Sequence, residues 1–251
     1  MRPIVRCIVI WMVALLAIGG LASAGPADSR IGISDGQKDQ LKALAANTRD
    51  RTGRERDAMR RARMDLLGVY SSYSIDEHKA RVARDRISAA QLNLLNIHLD
   101  NEIALRNILN ADQFQAFRNV MKRRMREPQM LVLAPPEEDV LDRLPGKAML
   151  DSLGVSPDRQ KLLKPSDPRS IQDLRIESKQ MLDLYANYSL DAAAARKLTD
   201  GIHQKQIALL TLQHNRQQAI RQVLSEEQFQ RLQQEIVKRM AEREQRRDRR
   251  Q

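Results

Sequence analysis

The stretch LNADQFQAF at 109–117 is written a second time, as LSEEQFQRL at 224–232, a displacement of 115 residues. Each copy follows a leucine with a small polar residue, two variable positions and then Gln. That spacing is a capping box: Asn110 or Ser225 accepts an N–H bond as N-cap, while Gln113 or Gln228 at N3 reaches back to the N-cap backbone. Asp112, Glu226 and Glu227 fall in the first turn, where the helix dipole favours anions. The same signal stands at Ser34 and Gln37. At 156–159 it reads Ser156-Pro157-Asp158-Arg159, with Pro at N1 and Arg in place of Gln. The repeated nonapeptide is therefore first a helix-start signal, with further starts expected at Ser74 and Ser189.

The repetition extends well beyond the nonapeptide. Residues 70–117 superpose on 185–232 without a gap, and Tyr70, Tyr73, Asp76, Ile87, Gln91, Leu95, Arg106 and Phe114 all recur at the same offset. The chain is an internal duplication. Apolar residues in 75–109 and 190–224 step by three, four or seven, and neither stretch contains Pro. Each reads as one amphipathic helix about 50 Å long, which needs neighbours along its length. The expected helices are 34–50, 54–73, 75–109 and 111–127, then 156–164, 169–188, 190–224 and 226–247. Gly53 marks the first junction as a bend or a tolerated interruption. The connector between the copies, 126–158, reads either as a tether or as short helices at 138–144 and 147–152.

The ends divide the chain further. Arg2 and Arg6, the apolar run 7–20 and the small residues 22–24 form a secretory signal expected to end at Ala24. An uncleaved anchor fits less well, because a spanning helix needs about 20 apolar residues. The division expected is 1–24 leader, 25–127 first unit, 128–154 proline-containing linker and 155–251 second unit with a basic tail. Loss of 1–24 removes the only Cys and the only Trp, so no disulfide supplements packing. With three Phe and four Tyr, the core is expected to be mostly aliphatic and the fold all-α. The formal charge of +11 falls to +9 without Arg2 and Arg6, an excess that attracts acidic partners. Export argues against nucleic acid, and no second long apolar run suggests membrane insertion.

Catalysis finds no support in the residues. The exported part has no Cys nucleophile, Gly-rich phosphate loop or nucleophile elbow, so no enzyme activity and no cofactor are expected. His98 and Glu102 lie four apart on one helix face and, with His214, form a weak candidate metal set. His214 stands one position past the repeat equivalent of His98. Solvent-facing or partner-facing imidazoles are the plainer reading. Basic stretches at 51–64, 118–130 and 238–250 interleave Arg and Lys with Met, whose flexible side chains make adaptable contacts. Such a surface suits loose binding of partly unfolded chains, acidic segments by charge and apolar segments by contact.

The recurring Leu/Ile/Val–Ser/Thr/Asn–x–x–Gln signature resembles the Spy/CpxP family of exported helical proteins, named for its LTxxQ motif. The matching pieces are ISDGQKDQL (33–41), RRARMDLL (60–67), LNADQFQAFRNVMKRR (109–124) and LSEEQFQRLQQEIVKRM (224–240). The resemblance covers almost the whole chain after the leader, and VSPDR (155–159) departs from it at Gln. It implies four-helix hairpins paired into a thin curved cradle, and a periplasmic, nucleotide-independent chaperone acting under envelope stress. Its alternatives are a metal-responsive protein and a regulatory module for an envelope sensor. Two units in one chain imply an intramolecular pseudo-dimer, or four units in a homodimer. By the same resemblance the clients are unfolded or partly folded exported proteins. The client surface takes Arg60, Arg61, Met64 and Leu67 with Lys122, Arg123 and Met125.

Overall fold

The computed structural model describes residues 32–124, 146–163 and 168–248. The expected leader, Met125, the connector through Pro145 and the last three residues lie outside them. The described residues form an all-α fold without a strand. The helices are α1 (Asp35–Tyr70), α2 (Glu77–Ile108), α3 (Ala111–Arg124), α4 (Lys147–Ser152), α5 (Pro157–Gln160), α6 (Pro168–Ala186), α7 (Ala192–Val223) and α8 (Glu226–Asp248).

The three capping boxes form as the sequence predicts. Gln37 N–H donates to Ser34 Oγ (3.2 Å) and Ser34 N–H to Gln37 Oε1 (3.0 Å). Gln113 N–H donates to Asn110 Oδ1 (2.9 Å), and Gln228 N–H to Ser225 Oγ (3.2 Å), each with the reciprocal bond back to Gln. The Gln amides also tie helices together. Gln37 Nε2 donates to Ile108 O and to Gln113 Oε1, locking the start of α1 onto the end of α2 and the start of α3. Ser156 does stand at the N-cap of α5, but its hydroxyl makes no capping bond. Arg159, in the place of Gln37, donates to Gln222 O at the end of α7 (3.1 Å), so the Gln-to-Arg change keeps the bridging role.

Other expectations change. Helices α2 and α7 are capped by Asp76 and Asp191 rather than Ser74 and Ser189. A carboxylate accepts first-turn N–H bonds more strongly than a hydroxyl. Moving the cap also lets Ile75 and Leu190 reach the clusters containing Ala80 and Ala195, as hydrophobic staples. The first two expected helices are one helix of 36 residues that runs straight through Gly53. Glycine's helix penalty of about 1 kcal/mol is small beside packing on both sides of it. Thr48 and Thr52 are buried against α2, and Thr48 donates to Asn101 Oδ1 (2.6 Å).

The second unit builds its first helix differently. The 156–164 helix shrinks to Pro157–Gln160, since Leu162 is exposed and Pro165 and Pro168 follow closely. Of the two readings of the connector, the helical one holds for 147–152, while 138–144 lies outside the described residues. Met149, Leu150, Leu153 and Val155 are buried with Ile220, Val223, Leu224, Phe229 and Leu232. They fill the place that Leu41 and Ala45 of α1 fill beside Leu105, Leu109, Phe114 and Phe117. Gly154 allows this turn by taking a φ of +71°.

Helices α1 and α2 pair antiparallel, with Arg51–Asp100 (2.9 Å) towards one end and Arg86–Asp65 (3.5 Å) towards the other. Helices α6 and α7 form the equivalent hairpin, and the two hairpins meet where α2 crosses α7. At that crossing His203 Nε2 lies 2.9 Å from Ser88 Oγ. Ser88 and His203 occupy equivalent positions of the duplication, so the copies touch across a local pseudo-twofold point. Each half of the core borrows from the other copy: Leu95 and Leu99 join the α6–α7 cluster, and Leu210 packs on the α1–α2 cluster.

Candidate functional site

The joint between the two copies is built from residues that recur at the same offset. Helix α1 ends at Tyr70 and α6 at Ala186, and neither has a basic residue in its last turn. A helix C-terminus leaves four carbonyls without helical partners and carries partial negative charge. The missing cation comes from the other copy. Arg221 of α7 donates to Tyr70 O (2.6 Å) and Ser72 O (2.7 Å). Arg106 of α2 donates in the same way to Tyr185 O (3.0 Å), Asn187 O (2.6 Å) and Tyr188 O (2.8 Å).

Tyrosines return the contact. Tyr73 O–H lies within bonding distance of Arg221 O and Leu224 O, and Tyr188 O–H of Arg106 O and Leu109 O. Tyr73 meets Phe229 edge-on (5.8 Å) and Tyr188 meets Phe114 edge-on (5.7 Å). Each guanidinium lies over the same Phe, 4.5 Å from its centroid. All four Tyr and all three Phe of the chain sit in or beside these joints. The aliphatic core expected from composition therefore holds along the helices but not at their ends, where aromatic rings do the joining.

The two joints differ chemically. In the first copy Glu102, 1% exposed, accepts from Arg106 (2.8 Å) and from Arg118, and Arg118 donates to Tyr185 O (2.7 Å). The equivalents of Glu102 and Arg118 are Gln217 and Gln233. Arg221 there donates to Gln217 Oε1 (3.1 Å), with no carboxylate among the described residues paired to it, and burial brings its guanidinium down to about 10. Burial also raises the Tyr185 phenol, with the Glu102 charge adding to it.

The candidate metal residues are not brought together. Glu102 is held between two guanidiniums. His214 contacts Tyr70 O–H (3.0 Å) and Glu77 (3.0 Å). His98 lies in the α1–α2 hairpin, where burial and then the nearby Arg56 charge push its imidazole down to about 4. Among the described residues no group of three or more His, Cys, Asp or Glu is placed to hold a metal ion. Periodicity correctly put His98 and Glu102 on one helix, but the carboxylate is claimed by Arg106, four residues on in the same helix, and by Arg118 of the next helix.

The candidate client residues on α1 share its outer face. Ala62, Leu66 and Tyr70 point into the core, whereas Arg60, Arg61, Met64 (61% exposed) and Leu67 (36%) face solvent. Asp57 pairs with Arg60 (3.2 Å). Lys122 and Arg123 fall on α3 with side chains outside the described residues, as is the whole of Met125. Sequence reasoning missed the matching face of α6. The repeat equivalents of Arg60, Arg61 and Met64 are Arg175, Ile176 (47% exposed) and Lys179, all on the surface. Carrying the 115-residue offset upstream of Tyr70 would have found them. Both outer helices thus mix long cations with exposed aliphatic side chains. Among the described residues, no helix is long and apolar enough to cross a membrane. Comparison with protein-family models, with curated proteins and with solved structures finds no match to this chain.

Proposed function

We propose that this chain is a periplasmic, nucleotide-independent holdase of the Spy/CpxP kind, its two LTxxQ units paired in one chain as a thin cradle. It holds partly unfolded exported proteins under envelope stress and suppresses their aggregation. The observation that carries the reading is the mixed face of α1, Arg60, Arg61, Met64 and Leu67, and its counterpart on α6, Arg175, Ile176 and Lys179. Arginine and lysine stems cover apolar area while their heads stay wet, so such a face attracts acidic segments at a distance and apolar segments on contact. Contacts of this kind are individually weak and adaptable, which suits release by simple equilibrium. The signal-like leader and the net charge, +11 for the whole chain and +9 without Arg2 and Arg6, agree with an exported protein that meets many chains.

Light scattering of a denatured, aggregation-prone client tests the proposal, with the protein present and no ATP. The protein is expected to suppress scattering. The triple variant Met64→Ser/Leu67→Ser/Ile176→Ser is expected to lose most of that suppression while keeping its helical content. Undiminished aggregation at excess wild-type protein would reject the function. Full suppression by the triple variant would reject the assigned surface. Raised salt should slow client capture, because the cations are exposed and therefore screened.

A further inference from the structure

Only one of the two joints contains a titratable relay. Tyr70 at the end of α1 is 1% exposed, and its O–H lies 3.0 Å from His214 Nδ1; His214, 5% exposed, presents Nε2 to Glu77 at 3.0 Å. Gln218 Nε2 holds the other Glu77 oxygen (2.9 Å). An ionised carboxylate only accepts, so His214 Nε2 carries the proton and, in the neutral ring, Nδ1 accepts from the phenol. At the other joint the equivalents of Tyr70, His214 and Glu77 are Tyr185, Leu99 and Ala192. The duplication therefore carries an internal comparison: same helices, same arginine and tyrosine anchors, no imidazole.

We propose that Tyr70, His214 and Glu77 form an acid-sensitive latch, whose protonation at His214 loosens one joint while the Glu102–Arg106–Arg118 joint holds as a hinge. Protonation places a hydrogen on Nδ1, so the Tyr70 phenol can no longer donate there and must turn its own proton away to accept instead. It also adds charge to a buried ring beside Arg84 of α2 and Arg221 of its own helix. Among the described residues Glu77 is the one anion facing it, and that carboxylate is more than half exposed and so screened. Burial first, then Arg84, lowers the His214 imidazole below its ordinary 6.5, while Glu77 opposes them. A depressed pKa means the neutral form stabilises the joint fully above 6.5 and that the contribution is lost as pH falls below it. The inference is independent of the holdase reading, since it concerns the joint between the units and not the outer faces.

Amide hydrogen exchange of the full chain from about pH 7.5 to about pH 5, corrected for the intrinsic pH dependence of exchange, tests it. Protection in 70–77 and 214–221 is expected to fall on acidification, while 185–192 and 99–106 keep theirs. His214→Gln should remove the difference between the joints. Glu77→Gln should enlarge the acid loss and Arg84→Gln should reduce it; both replace partly exposed side chains and leave the core intact. Equal acid loss at both joints, or an unchanged profile in His214→Gln, would overturn the latch. If His214→Gln fails to fold, equal profiles for Glu77→Gln and Arg84→Gln would overturn it instead.

Discussion

Replacing Glu102 by Gln tests how the joints are made, because the protein already contains the replacement chemistry at its other end. Glu102 is buried and accepts from Arg106 and Arg118, whose side chains are only 9% and 10% exposed. Removing one partner of a buried ion pair costs about 3–5 kcal/mol, most of it from the charge left behind. The amide oxygen still accepts one bond, which places Glu102→Gln near the lower end, about 3 kcal/mol. Arg118→Gln leaves Glu102 paired with Arg106 but gives up the bond to Tyr185 O and the contact over Phe114 (5.0 Å), a loss of about 2 kcal/mol. The double variant reproduces the Gln217 and Gln233 pair. It removes the buried carboxylate and one buried guanidinium together, leaving Arg106 as Arg221 stands, and should cost only about 2 kcal/mol. Urea unfolding of the four proteins, followed by helical circular dichroism, measures the cycle. A coupling of about 3 kcal/mol is expected, and single effects that add to within about 0.5 kcal/mol would refute the charge argument.

Further predictions concern the same architecture. Arg221→Met removes the cation from the end of α1 and leaves the Tyr70 and Ser72 carbonyls short of donors, so stability should fall by about 2–3 kcal/mol in urea unfolding. Gly201→Ala should be nearly neutral. The gain in helix propensity of about 1 kcal/mol meets a new Cβ only 2.9 Å from Glu177 Oε2, and that carboxylate must swing away from Lys205 (2.8 Å). A change beyond about 1 kcal/mol in thermal unfolding would show that Glu177 cannot move. The His98 imidazole should titrate near 4 by NMR. Its neutral form then supports the fold above 6.5, that support is lost as pH falls towards about 4, and His98→Gln should flatten this part of the stability profile.

Local chemistry was the legible part of the sequence. Ser34–Gln37, Asn110–Gln113 and Ser225–Gln228 announced their boxes because a cap depends on residues three apart. The long helices of 32 residues followed from unbroken apolar stepping. Gly53 misled because propensity is a sum over neighbours, and the packed faces of α1 outweigh one glycine. Ser74 and Ser189 misled because two acceptors stood two residues apart, and the choice between them depended on where Ile75 and Leu190 could be buried. The joints were half visible. Arg106, Arg221 and the tyrosines were seen to recur, and the ends of α1 and α6 lack the cation a helix terminus favours. Matching that lack to an arginine in the other copy needs the crossing of α2 and α7, which no local pattern encodes. The metal trio failed for a related reason. Spacing places His98 and Glu102 on one helix but says nothing of Arg118, which lies on the next.

Aromatic proton contacts give the most direct test of the reciprocal joint, in a sample where isotope-labelled chain is diluted into unlabelled chain. The seven Tyr and Phe rings make the spectrum sparse enough to assign. Cross-peaks Tyr73–Phe229 and Tyr188–Phe114, expected from centroid separations of 5.8 and 5.7 Å, should both persist on dilution because each lies within one chain. Absence of both pairs, or their loss on dilution, would contradict two units clasped together within a single chain.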